Sequence, residues 1–353
     1  MISLGDQHDD KKTKAETKSD DVTKGSRQSG AISKQLDLLK KNMAPRLREW
    51  RFSLFLMKKS PLAVVGLIIV IGFFVIAIMA PVLAPPFHPD DPTYIPRDWQ
   101  SPKPPGAETI VMVEGEPTNW TMIFGSGKLG IDIYYGVIWG TQTSIYISLL
   151  VVIIAAIIGI VLGAIAGYFG GVVDELLMRV TDVFLSIPGL ILAMAVAAVL
   201  SRSLENIMLA LIVVWWPPYA RLVRGQVLSI RENTYVEAAR AVGSKRSRIL
   251  FNHVVPNSLA PMLVAATMDL GVVVLVAAGL SFIGFGVPAG TAEWGKLISD
   301  GQQYFLTTHY YQGVAYNPWW MWVFPGIFIF LFVMGFNLFG DGLRDILDPR
   351  LRR

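Results

Sequence analysis

Three clusters of residues have types and spacings that suggest chemistry. The first, Gly125-Ser126-Gly127-Lys128, is glycine-rich and ends in lysine. A phosphate cradle needs G-x-x-x-x-G-K-[ST], so that backbone N–H groups and the lysine converge on the phosphates. Here the spacing fails and Leu129 follows the lysine, so no nucleotide site is expected. His8, His88, His253 and His309 lie too far apart for a zinc-binding helix motif. The chain has no cysteine, which excludes disulfides, thiolate metal sites and a cysteine nucleophile. No Ser-His-Asp spacing is visible either. The sequence therefore carries no legible catalytic machinery, and no metal, cofactor or nucleic acid is expected to bind to it.

The second cluster lies between Arg231 and Pro256. Thr234 and Glu237 have the T-x-x-E spacing of a capping box, which predicts a helix start. Tyr235, Ala238, Ala239 and Val242 follow at i, i+3, i+4 and i+7, forming one apolar face that is small at its centre. Gly243 is the expected stop, and Ser247 opens a second short helix ending by Pro256. Small side chains let another backbone approach closely, so this face suits a groove on a partner. The alternative is that it packs on the chain's own membrane domain, with Glu237 only a cap. The third cluster is Asp269 with Thr267 nearby. A carboxylate in mid-membrane is costly unless it faces a cavity or is hydrogen-bonded. Asp269 either lines a translocation path or is bonded between helices, with Thr267 the candidate partner.

What positions these groups is a set of apolar helices. Of the 353 residues, 53% are hydrophobic and 16% charged, against about 25% charged in soluble domains. A span needs ~20 apolar residues to cross ~30 Å of hydrocarbon. Six are expected: about 61–83, a span to about 168 after a surface lead-in ending near Gly140, one starting near Asp174 and ending near 201, then 205–225, 257–282 and 321–340. Arg221 and Arg224 are expected to snorkel from the fourth. Six spans put both termini on one side. With that side cytoplasmic, 26 of the 31 Lys and Arg residues lie inside, as the positive-inside rule requires. The expectation is an all-α, multi-pass protein of the cell membrane, with the bilayer as its solvent.

Outside the spans, residues 1–32 are too polar to fold alone. Leu36, Leu39, Met43, Leu47, Trp50 and Leu54 are spaced as a basic amphipathic helix, lying on the inner leaflet or on the protein's own inner surface. The outer segment 84–140 holds nine of the 21 prolines, and Ile110–Val113 reads as a hairpin strand. A second outer segment, 284–320, is rich in aromatics, read as an interfacial belt or a ligand-stacking site. The chain thus divides into 1–60 (tail and amphipathic helix), 61–83 (anchor), 84–140, a five-helix core 141–340 containing the 231–256 loop, and a cytoplasmic tail 341–353.

Glu237-Ala238-Ala239 with Gly243, Ile249 and Pro256 resembles the EAA loop of ABC-importer permeases. The likeness extends to Trp294-Gly295, Ser299-Asp300-Gly301, Phe324-Pro325-Gly326, the run Phe336 to Asp345 and Leu347-Asp348-Pro349-Arg350. Leu280 to Gly284, Arg179-x-x-Asp182 with Pro188, and Lys58 to Ala63 also fit. These are similar to the oligopeptide/dipeptide branch, C-type subunit. The chain departs from that branch in Phe124 to Asp132, which lacks the usual acid and arginine, in the double proline Pro217-Pro218, and in a longer 84–123.

The resemblance implies a type I importer permease fold. It implies a homologous second permease, two ABC ATPase subunits that bind the ATP and Mg, and an extracytoplasmic substrate-binding protein. It implies ATPase coupling through Tyr235, Glu237, Ala238, Ala239, Arg240, Val242, Gly243, Ile249 and Pro256, with Asp269 and Thr267 as path candidates. Peptides are the first substrate expectation and oligosaccharides the second. The competing class, an ion-coupled transporter or channel, predicts several buried ionisable residues and duplicated halves. One deep acid and no evident repeat are found.

Overall fold

The computed structural model describes residues 60–86, 102–113, 116–288 and 291–347. The tail 1–59 with its expected amphipathic helix, most of the proline-rich stretch, and Asp348-Pro349-Arg350 lie outside the described residues. Five described helices are long and apolar enough to cross a membrane, and a bent pair, counted as one broken span, brings the number to six.

Helix α1, Pro61–Leu83, is uncharged, with Pro61 in its first turn where the missing N–H costs nothing. A two-stranded hairpin follows, β1 (Ala107–Val113) against β2 (Glu116–Met122). Ala107 pairs with Met122, which makes the strand longer at its start than the expected Ile110–Val113. Helix α2 runs from Ile133 to Phe169. The expected surface lead-in before Gly140 is therefore corrected: it is the first turns of this same helix. Its 37 residues span about 55 Å, well beyond the hydrocarbon core. Asp132 caps it, accepting from the Tyr134 and Tyr135 N–H groups at 2.7 and 3.2 Å.

The expected third span is also corrected. It is two helices, α3 (Gly171–Ser186) and α4 (Gly189–Val199), bent by 89°. Pro188 causes the break: it cannot donate, and it forces Ile187 out of the helical region to ψ 129°. Helix α5, Leu204–Ile230, contains Pro217 and Pro218, which release the carbonyls of Val213 and Val214 from the helix ladder. Arg221 and Arg224 are tied to α3 rather than reaching freely for the interface. Arg224 grips Asp174 with two bonds at 2.5 and 2.7 Å, and Arg221 pairs with Asp182.

Helix α6 (Thr234–Ala241) and the short α7 (Arg246–Ile249) lead through a π turn, Leu250–Val254, into α8 (Val255–Leu280). The second short helix thus does not end by Pro256. That proline sits in the first turn of α8, where it is tolerated, and the chain stays helical. Another π turn, Ser281–Phe285, precedes α9 (Trp294–Gly301). A small hairpin, β3 (His309–Tyr311) and β4 (Val314–Tyr316), turns through Gln312 and Gly313, both at positive φ. Helix α10, Trp320–Leu347, continues past the expected end at 340.

Both hairpins lie at the same ends of the spans, and α6 lies at the opposite ends. The Trp320 indole donates to the Ser126 carbonyl at 2.9 Å, which ties α10 to the hairpin end. Several of the aromatics from Tyr304 to Phe324 are occupied with one another, as in Phe305 against Trp322 and Tyr316 against Trp320, and Phe324 stacks on Phe124. Trp294 is fully buried among Phe73, Phe328 and Phe332. Helices α2 and α5 approach closely along a glycine seam. A Cβ on Gly159, Gly163 or Gly167 of α2 would lie 2.3 to 2.9 Å from Tyr219, Ala220 or Arg224 of α5. A second seam joins α1 to α10, where Gly66 meets the Phe339 backbone and Gly342 meets Ala63.

Gly163→Leu is expected to lower the thermal stability of the detergent-solubilised chain by about 1–3 kcal/mol or to prevent its accumulation. Gly225→Ala, at a helical position facing open space, leaves it near wild type. Differential scanning fluorimetry separates the two.

Asp132 gives a pH dependence. It lies outside the spans, and burial pushes its carboxyl from 3.8 up to about 6 against the hydrogen bonds from Trp120, Tyr135 and Tyr134. A raised folded-state pKa contributes stability that is full below about 4 and is lost as pH rises through about 6. Asp132→Asn keeps the cap, so its melting temperature between pH 4 and 7 is expected to vary less than wild type.

Candidate functional site: a split helix face and a mid-span carboxylate

Helix α6 is too short to be stable alone. Its position comes from its neighbours. Val236 is fully buried in the main apolar cluster, and Ala239 is half-buried against it. Ile249, just past the turn, is fully buried in the same cluster. The expected capping box is not formed: Asn233 is the N-cap, Thr234 is already helical, and no side chain caps the helix. Glu237 is exposed and faces a cleft of about 610 Å³ that it shares with Glu232, Arg231, Arg240 and Arg246.

The C-terminal stop at Gly243 is a full Schellman turn. Gly243 at φ 82° donates to Arg240, and Ser244 donates to Ala239, at 2.9 and 3.1 Å. Two arginines fix the loop to the end of α2. Arg240 stacks over the Tyr168 ring at 5.8 Å, and Arg231 donates to the Gly167 carbonyl at 2.9 Å.

The apolar face predicted for α6 is therefore divided. Ala239 turns inward beside Val236. Tyr235, Ala238 and Val242, at i, i+3 and i+7, turn outward, with Val242 86% exposed. The reading in which the whole face packs on the chain's own membrane domain fails for these three. Pro256 is exposed at the start of α8, next to Asn257. Asn257 donates to the Tyr235 hydroxyl at 3.4 Å, a link from α6 to α8 that no local pattern signals.

Asp269 lies within α8, half-buried. Its partner is Tyr219 of α5, whose hydroxyl donates to Oδ2 at 2.7 Å, and the Trp215 indole is its other polar neighbour. Thr267 is not its partner, because that hydroxyl donates to the Leu263 carbonyl one turn back in its own helix. Tyr219 is 50 residues away, and the sequence held only the weak hint of a polar-tipped residue beside the double proline.

Five apolar spans and a bent pair, glycine-seamed and carrying an anchored loop at one end, define a multi-pass membrane protein. Residues 159–353 match the family described as "Binding-protein-dependent transport system inner membrane component". Residues 50–105 match "N-terminal TM domain of oligopeptide transport permease C". The chain belongs to this family, as the EAA-like loop and the C-terminal motifs implied.

Its relatives include the dipeptide transport system permease protein of Alkalihalophilus pseudofirmus, 40% identical over 86% of this chain and 90% of that one. The probable D,D-dipeptide transport system permease protein of Escherichia coli is 40% identical over 84% and 90%. The oligopeptide transport system permease protein of Bacillus subtilis is 35% identical over 86% and 90%. Among solved structures, an inward-facing MetNI methionine ABC transporter chain is 22% identical, covering 61% of this chain and 98% of that one with a TM-score of 0.48.

Gly243→Val puts a β-branched residue in the left-handed region, at a cost of roughly 1–2 kcal/mol. The Schellman turn is expected to loosen, and tryptic cleavage after Arg240 and Arg246 to quicken roughly tenfold. Nothing crowds this glycine, so the spans should stay intact.

Proposed function

We propose that this chain is one of two transmembrane subunits of an ATP-driven importer of di- and oligopeptides. The α6 loop docks on an ATPase subunit, and the spans form half of a path that opens alternately to each side. The observation that carries this reading is the divided face of α6. Val236 and Ala239 hold the helix to the membrane core, while Tyr235, Ala238 and Val242 are left uncovered. A short helix clamped on one side and bare on the other suits the transmission of a push better than a binding surface on a free loop.

The basic loops support a reading with this face and both termini in the cytoplasm and the hairpins outside, facing a substrate-binding protein. ATP and Mg belong to the ATPase partners. The named relatives handle dipeptides and oligopeptides, which supports peptide over oligosaccharide as cargo. The self-sufficient channel reading gains nothing from a bare, Schellman-closed helix.

Ala238→Trp tests the docking. Ala238 is exposed, so the change is absorbed without disturbing the fold. Expressed with its partner permease, ATPases and binding protein, the variant is expected to reach the membrane at normal level, lose the ATPases on co-purification and lose more than nine-tenths of peptide uptake. Uptake at wild-type rate would overturn the coupling assignment.

A further inference from the structure

The cleft of about 610 Å³ beside α6 plays no part in the docking proposed above. Helical positions about 100° apart divide α6 into three sectors. Tyr235, Ala238 and Val242 form the bare face, Val236 and Ala239 the buried one, and Glu237 and Arg240 a third flank that lines the cleft. The cleft thus lies on a different side of the helix from the docking face. Its other walls include Tyr168 and Phe169, the last two residues of α2, with Arg231, Glu232 and Arg246. Its volume is in the ordinary range for small-ligand sites, roughly 300–1,000 Å³.

Contacts between the helices set its depth. Helix α1 is uncharged, and its 23 residues, about 34 Å, just cover the hydrocarbon, so Pro61 marks the edge at the α6 end. Ala63 meets Gly342 of α10, and Gly340 meets Met268 of α8. Asp269 bonds Tyr219 of α5, and Tyr219 meets Gly159 of α2. At ~1.5 Å per residue these contacts put Gly159 about 6 Å inside the edge and Tyr168 about 7 Å beyond it. That is the headgroup layer, which adds roughly 5–7 Å on each side of the core. Phe169 at the cleft is half-exposed, and three residues on Val172 is 81% exposed, an aliphatic surface suited to acyl chains.

The cleft carries charges of both signs. Among the described residues none of Arg231, Arg240, Arg246, Glu232 and Glu237 is in an ion pair. Arg231 gives one donor to the Gly167 carbonyl, and Arg240 stacks over Tyr168. Their remaining N–H groups suit a phosphate, which guanidinium binds through paired hydrogen bonds. The two carboxylates accept from a primary ammonium. A purely anionic ligand would meet the carboxylates, and a purely cationic one the guanidiniums. We propose that this cleft binds the headgroup of an aminophospholipid, its phosphodiester on the arginines and its ammonium on Glu232 and Glu237, with acyl chains against Phe169 and Val172. The lipid bridges the end of α2 to the flank of α6 and braces that helix from a side its bare face does not use.

The test is lipid binding by native mass spectrometry of the full chain in detergent, which does not depend on the importer reading. The probes are dioleoyl-phosphatidylethanolamine, dioleoyl-phosphatidylcholine, dioleoyl-phosphatidylglycerol and inorganic phosphate. The choline lipid keeps the phosphate but has no ammonium N–H, and the glycerol lipid has no cation. Wild type is expected to hold the ethanolamine lipid roughly tenfold more tightly than either. Glu232, Glu237 and Arg246 are exposed, so their variants leave the fold intact. Glu232→Gln combined with Glu237→Gln is expected to bring the ethanolamine-to-choline ratio close to one. Arg246→Gln is expected to weaken both lipids roughly threefold and keep the ratio. Equal binding of the three lipids by wild type, a preference that survives the double variant, or displacement of the lipid by an equal concentration of inorganic phosphate would each overturn the site. Absence of peptide uptake by the wild-type complex, with the lipid preference intact, would overturn the importer reading alone.

Discussion

The close approach of α2 and α5 is the constraint on which the rest depends. Between helices in lipid no hydrophobic driving force operates, and association rests on van der Waals contact and interhelical bonds. Gly159, Gly163 and Gly167 recur every four residues on one face of α2, and each lies where a Cβ would strike α5. The seam sets the height and rotation of α5. From that placement follow three polar contacts: Tyr219 reaches Asp269, Arg224 reaches Asp174, and Arg231 reaches the Gly167 carbonyl. A shift of one residue along the seam would strand all of these groups in hydrocarbon, where an unpaired charge is expensive.

The loop at the end of α5 inherits this rigidity. Arg231 and Arg240 pin it to the last turn of α2, and Val236 and Ile249 are sunk in the core. Helix α6 is too short to persist alone, so its bare Tyr235, Ala238 and Val242 face exists only because the buried side holds it. Asn257 then joins Tyr235 to the start of α8, the helix that carries Asp269. Under the proposed function, a load applied to α6 reaches α8 through this hydrogen bond.

Much of this was legible because the absence of charge is a long-range rule written locally. The gap from Ser60 to Phe87 contains α1, and the stop at Gly243 follows from its freedom at positive φ. Four things were not legible. Arg221 and Arg224 had a cheap local option, snorkelling, and only tertiary packing gave them Asp182 and Asp174 as partners. Thr234 with Glu237 satisfies the capping-box spacing, yet the helix begins one residue earlier in phase, at Asn233. The 89° bend had a local sign in Pro188, but the apolar run through it reads as one span until the chain is seen to turn. Asp269 could be flagged from its neighbours, whereas Tyr219 could not, because their pairing is made by the α5–α8 contact and not by spacing.

The absence of cysteine allows a direct measurement of the central claim that α6 is a docking helix. Ala238→Cys would be the chain's sole thiol, on an exposed position. Labelling with a maleimide is expected to be fast in the isolated permease and slowed at least tenfold in the assembled complex, with a short bismaleimide joining it to the ATPase subunit. Equal labelling rates in both states and no cross-link to an ATPase would contradict the account.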